Sequence, residues 1–323
     1  MSVSTSVDLA PRRRGGLRLR HPVLVAAGGG GFGPELLEAT AEDPPAALIT
    51  RSVTSGPDRG QPPPRMVARA DGLLHAAGTP NPGLEAMLRR QAPRWAGYGT
   101  PVVVSICGRD VDELADLARV LEMQPDVAGV ELNLACGDRS RGGEPIGLDV
   151  AATETAVVAV RAATELPLLA KLTPVAPDVR EIARAAAAAG ADALSAVAPL
   201  PALALDAGRH RALLGTAYGG LSGPALKPVG LRVVYEIAQV VKVPILGIGG
   251  VATLDDVLDY LAAGATAVGL ATAALAEPTL PGRLGRQLAD WCAQEGLASD
   301  ALVGRALPRR RDRGSLRPVP LRR

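Results

Sequence analysis

Short apolar runs rich in β-branched residues alternate along the chain with longer segments whose apolar positions recur every three or four residues. The runs fall at 22–27, 46–51, 101–106, 128–133, 167–172, 192–197, 244–248 and 266–271, and each has strand length. Segments 110–123, 149–164, 177–189, 225–241 and 254–263 read as helices between them. In the first of these, Val111, Leu114, Leu117, Ala118 and Leu121 form one apolar face. Asp178 and Thr253 stand at N-cap positions, while Gly190 and Gly264 stand where the helices should stop.

Strands that are apolar nearly throughout belong to a parallel sheet covered on both faces. Eight strand–helix units over about 250 residues predict an α/β fold, a (β/α)8 TIM barrel, better than an open sheet. A doubly wound sheet is the alternative, but the GGGGFG run at 28–33 lacks the acidic partner of a dinucleotide fingerprint. Segments 52–83 and 198–223 exceed ordinary loop lengths, and in a barrel they become loop insertions at the C-terminal face. The expected organisation is a flexible basic segment over 1–16, a barrel over 17–307 and a flexible Arg-rich tail over 308–323.

Composition narrows the partners. Aromatic residues are 2% of the 323, too few for base-stacking platforms, so no nucleic acid is expected. The net charge of +2 divides into +4 over 1–20, +6 over 308–323 and −8 between them. Both basic ends contain Pro and Gly and read as solvated. No signal-peptide pattern and no membrane span are found. Cys107, Cys136 and Cys292 make no CxxC and no metal-ligand spacing. They predict a reduced, cytoplasmic chain with no metal, in which Cys107 and Cys292 are buried and inert.

In a barrel, functional side chains sit at strand C-termini. Those positions hold Arg51, Ser105, Asn133, Lys171, Val197, Gly249–Gly250 and Ala271–Thr272. The last two pairs follow strands seven and eight and match the usual barrel phosphate site, with a helix starting just beyond each. Lys171 ends an otherwise apolar strand; its ammonium suits a flavin edge or, with a depressed pKa, a Schiff base. Asn133 and Cys136 leave strand four three residues apart, and a thiol there needs a lowered pKa or help from a ligand to act as a base.

Motif order then adds a resemblance. Asn81-Pro82-Gly83, Glu131-Leu132-Asn133 with Cys136, Lys171-Leu172-Thr173-Pro174, Gly219 to Pro224 with Lys227-Pro228, and Gly247 to Val251 followed by GATAVGLATA occur in sequence. Over about residues 17–280 the chain resembles the dihydroorotate dehydrogenase family, in its soluble class with a catalytic cysteine. The resemblance implies an FMN-dependent oxidoreductase of pyrimidine biosynthesis. In that reaction a base removes a proton from one carbon of a C–C bond beside a carbonyl, and its neighbour gives a hydride to flavin N5. Cys136 matches the base, and Lys171 serves both catalysis and cofactor. Gly223, Gly249, Gly250 and Thr272 would hold the phosphate end of FMN, with Ala271 beside them. Lys171 and Asn133 would contact the isoalloxazine, and Ala27, Gly28, Arg51, Ser52, Ser105 and Val197 would line it. Arg51, His75, Ala76, Gly78, Asn133, Asp138 and Ala198 would face the substrate.

The departures from the family pattern lie mainly on the substrate side. Arg51 replaces a lysine, and His75, Asp138 and Ala198 replace asparagines that hydrogen-bond orotate; Ser105 replaces a flavin-side asparagine. Each unmatched buried polar group would cost about 1–3 kcal/mol. Two versions follow, one that oxidises dihydroorotate and one that takes a different small carbonyl compound in specialised metabolism. Readings from other classes are a lysine-dependent barrel aldolase or isomerase, and an FMN-binding pseudoenzyme. As partners, the resemblance implies a homodimer or an iron–sulfur, FAD-containing electron-transfer subunit, and no membrane.

Overall fold

The computed structural model describes residues 3–138 and 143–308. The eight expected runs all become strands, with ends one to four residues shorter than the sequence pattern. They are β1 (Val23–Val25), β2 (Leu48–Ile49), β3 (Val102–Ile106), β4 (Gly129–Asn133), β5 (Leu168–Leu172), β6 (Ala193–Ala196), β7 (Ile245–Ile248) and β8 (Ala267–Leu270). All pair in parallel in chain order, and β8 returns to β1, so the sheet closes into a barrel.

Alternate residues of each strand serve two different cores. Val102, Val104 and Ile106 of β3 pack outward with Leu114, Leu117 and Leu121 of α1 (Val111–Glu122). Val103 of the same strand faces the interior, in a second cluster with Leu24, Ile49, Leu169, Ala193 and Leu246. The helices end where their caps dictate. Asp178 accepts from Arg180 N–H ahead of Val179–Ala188, and Thr253 forms a capping box with Asp256 ahead of Leu254–Ala262.

The N-terminal segment departs from the solvated end the sequence suggested. Val7–Asp8 pairs with Arg18–Leu19, and Leu9, Ala10, Leu17 and Leu19 are buried in the interior cluster. Arg13 Nε donates to Asp192 Oδ1 at 2.8 Å, and Arg13 Nη1 reaches Glu165 at 2.9 Å. Burial of these four leucine and alanine side chains in the interior cluster holds the segment on the barrel despite its local positive charge. The Arg-rich tail, from 309 onward, lies outside the described residues.

The two long insertions also acquire structure that periodicity did not reveal. They meet in one antiparallel sheet, in the order Leu200–Ala202, Gly219–Ser222, Gly72–His75, Met66–Arg69. Glycine is required where these strands approach: a Cβ on Gly219 would sit 2.4 Å from the His75 carbonyl oxygen. Among the described residues, no helix is long and apolar enough to cross a membrane.

Candidate active site

Above the interior leucines, the barrel changes from apolar to polar within one side-chain layer. Ser105, Glu131, Lys171 and Ser195 are all buried there, two residues beyond the apolar positions on their strands. Strand register places Ser105 beside Glu131, and Lys171 between Asn133 and Ser195. Asn133 Nδ2 donates to Ser52 Oγ at 3.0 Å, Ser52 and Ser105 hydroxyls are 3.0 Å apart, and Ser105 Oγ donates to Glu131 Oε1 at 3.2 Å. Each hydroxyl has one proton, so Ser52 must give its own to Ser105. The chain runs one way, from amide to carboxylate.

Lys171 Nζ stands 3.8 Å from the same Glu131 oxygen, an ion pair too long for a hydrogen bond. Glu131 Oε2 is buried without a hydrogen-bond partner. A buried ammonium needs acceptors, so Lys171 retains donor capacity for a ligand at the mouth.

A cleft of about 290 Å³ opens beside this layer. Lys171, Ala27 and Val197 line it, together with Ser222, Gly223, Gly249, Gly250, Ala271 and Thr272. Gly250 has φ +72°, and a Cβ there would meet Lys227 Cβ at 2.7 Å, so only glycine fits the turn. Thr272 Oγ1 donates to Ser222 Oγ at 2.8 Å. Beneath the turn, Tyr260 Oη donates to the Gly249 carbonyl at 2.7 Å. Burial first, then Asp256, pushes the Tyr260 phenol well above its ordinary pKa, so it remains a donor. Lys227 is held by Asp256 and by Asp259 at 2.8 Å, which makes it a brace for the loop. Small residues along the cleft, two hydroxyls at a glycine turn and a buried cation at the other side fit an elongated group such as FMN.

Gly28 has φ +94° with open space where a Cβ would stand, and neighbouring Gly29 abuts Ala271. Around the substrate side, Arg51 is half-buried, and burial and Arg65 lower its pKa. His75 is lowered by burial, then by Arg51 and Lys171, which favours a neutral imidazole with one donor and one acceptor. Ala76 N–H donates to the Arg65 carbonyl at 2.8 Å, and Gly78 packs on Gln61. Ala198 is buried, its N–H on the Leu172 carbonyl at 2.9 Å. The Asp138 backbone pairs with Glu144; its side chain lies outside the described residues.

The cysteines require a correction. Cys107 is not an isolated inert residue: it is disulfide-bonded to Cys136, with Cα atoms 6.2 Å apart. In this state Cys136 has no thiol with which to take a proton. Cys292 is free and buried, as expected. Glu131, Ser222, Tyr260 and Cys107 received no separate role from the sequence. A lone carboxylate within the apolar run 128–133 was the available signal for Glu131. The other three show their roles only through cross-chain contacts.

The closed barrel with this cleft at its C-terminal mouth defines a cofactor-dependent enzyme of the (β/α)8 class. The sequence profile described as Dihydroorotate dehydrogenase matches residues 13–291. The chain is 42% identical over 307 residues to the "Dihydroorotate dehydrogenase B (NAD(+)), catalytic subunit" of Desulforudis audaxviator, covering 95% of this chain and 98% of that protein. It is 40% identical over 293 residues to the protein of that name from Geobacter sulfurreducens, covering 91% and 94%. A third relative of that name, from Trichlorobacter lovleyi, is 38% identical over 291 residues, covering 90% and 96%. The chain belongs to the dihydroorotate dehydrogenase family. It is an FMN-dependent dehydrogenase acting on a CH–CH group.

Proposed function

We propose that this chain oxidises dihydroorotate to orotate in pyrimidine biosynthesis, with Cys136 as the base. The observation that carries the reading is the buried Lys171 ammonium between Asn133 and the cleft, beside the loop that bears Cys136. Bound FMN supplies the hydride acceptor at N5. The Cys136 thiolate removes a proton from the carbon next to the carbonyl. Lys171 and Asn133 orient the flavin ring, and Gly223, Gly249, Gly250 and Thr272 hold its phosphate. Arg51 pairs with the substrate carboxylate in fork geometry, and neutral His75 supplies the ring hydrogen bond that the family's asparagine makes.

The altered-substrate reading is weaker, because relatives at 37–42% identity share one name. Lys171 as a Schiff-base former is also weaker, since its Nζ is engaged in an ion pair with Glu131 at 3.8 Å. Those relatives are named catalytic subunits of an NAD(+) enzyme. We therefore assign the electron outlet to a second subunit carrying iron–sulfur and FAD groups, with the chain a homodimer in the cytoplasm and the barrel with its N-terminal hairpin a single catalytic domain.

Orotate titration into the FMN-loaded protein, kept under thiol reductant, tests the pocket. A saturable perturbation of flavin absorbance, weakened in Arg51→Ala, is expected. No perturbation by orotate would contradict the reading.

A further inference from the structure

Cys107 is the residue immediately after β3, and Cys136 is three residues beyond the end of β4. These strands are hydrogen-bonded neighbours, with Ile106 in register with Leu132. Both cysteines therefore leave the barrel at the same end, from neighbouring strands. Backbone bonds hold each in place. Cys107 N–H donates to the Val53 carbonyl at 3.0 Å, Cys136 N–H to the Asn133 carbonyl at 3.3 Å, and the Cys136 carbonyl accepts from Ile146 N–H at 3.2 Å. The barrel register and the Asn133–Cys136 turn together bring the Cα atoms to 6.2 Å, within the usual range for a bridge. Cys107 is buried and Cys136 is half-buried, so Cys136 is the more exposed residue of the pair.

We propose that Cys107 is a resolving thiol, and that the Cys107–Cys136 disulfide is a reversible oxidative modification that switches the enzyme off. The switch rests on the reading of Cys136 as the base. A hydroperoxide is the oxidant class. The Cys136 thiolate attacks the peroxide oxygen, the O–O bond breaks, and Cys136 becomes a sulfenic acid with release of water after proton uptake. The Cys107 thiolate then attacks the Cys136 sulfur, forming the S–S bond and expelling hydroxide, which takes up a proton to leave as water. Two thiols and one hydrogen peroxide give one disulfide and two waters. A dithiol reverses it by exchange, becoming a disulfide itself and returning both protein thiols. The bonded Cys136 sulfur cannot accept a substrate proton. The bridge also keeps Cys136 below the irreversible sulfinic stage. Cys292, fully buried and with its thiol pushed up by burial, is the unreactive internal control.

The test uses the full-length FMN-loaded protein, first reduced and then exposed to hydrogen peroxide. Disulfide mapping of unreduced peptides is paired with the rate of flavin reduction by dihydroorotate. The expected result is a Cys107–Cys136 cross-linked peptide, a rate lower by about 10²-fold or more, and recovery of both in dithiothreitol. Cys107→Ser should keep its rate when reduced, form no cross-link, and recover incompletely after peroxide because Cys136 oxidises further. Absence of the cross-link in peroxide-treated wild type overturns the switch, while a Cys136→Ala loss under reductant would still support the base. A cross-link that leaves the rate unchanged overturns both.

Discussion

Ser105 Oγ donates to Glu131 Oε1 at 3.2 Å, and that bond orients the polar chain from Asn133 through Ser52 to the barrel axis. Ser105→Ala removes the last donor and leaves Ser52 without its acceptor. The expected loss in urea unfolding is about 1–3 kcal/mol. Glu131→Gln should cost more, about 3–5 kcal/mol, because Lys171 would remain a buried cation without its carboxylate. Equal and negligible losses would show the layer to be energetically idle.

Tyr260 lies under the glycine turn, and Gly230 is what leaves it room. A Cβ on Gly230 would stand 2.1 Å from Tyr260 Oη. Tyr260→Phe removes the bond to Gly249, so FMN should dissociate about fivefold more readily, worth about 1 kcal/mol. Gly230→Ala should cost less FMN affinity in the Tyr260→Phe background than in wild type. Fluorescence titration of FMN reads both; strict additivity would refute the coupling.

The N-terminal hairpin makes a stability prediction. Leu9 is fully buried in the barrel's interior cluster. Leu9→Ala should lower unfolding free energy by about 2–5 kcal/mol. A solvated segment would show almost none, and chemical denaturation separates the two.

His21 gives the pH dependence its sign. Burial, then Arg20, lowers its pKa to about 4, against an opposing pull from Asp43. Val23 N–H donates to its Nδ1 at 3.3 Å, which requires that nitrogen to be unprotonated. The unfolded chain binds this proton near pH 6.5 and the folded chain only near pH 4, so stability is lost as pH falls through that window. The contribution is up to about 3 kcal/mol. The difference in unfolding free energy between pH 7 and pH 4.5 should shrink in His21→Asn; an unchanged pH dependence would locate it elsewhere.

The barrel was legible because short apolar runs and period-3.6 helices leave direct marks, and caps such as Thr253 and stops such as Gly264 sharpen them. The cleft residues were legible by position, since Lys171, Gly249–Gly250 and Thr272 fall at strand ends. What escaped the sequence depends on contacts between distant segments. The His75 strand pairs with Gly219–Ser222 across almost 150 residues, and no local pattern announces that. Leu9 and Leu17 look like a hydrophobic minority in a basic end until the barrel encloses them. Cys107 and Cys136 are 29 residues apart, and only the adjacency of β3 and β4 joins them.

Dihydroorotate oxidation in this pocket requires electrons to pass from substrate to the flavin. The direct measurement is the anaerobic absorbance of the FMN-loaded, thiol-reduced protein on addition of dihydroorotate. We expect the oxidised flavin band to bleach in wild type, and to bleach about 10²-fold or more slowly in Cys136→Ala. Flavin that stays oxidised in the wild-type protein would contradict it.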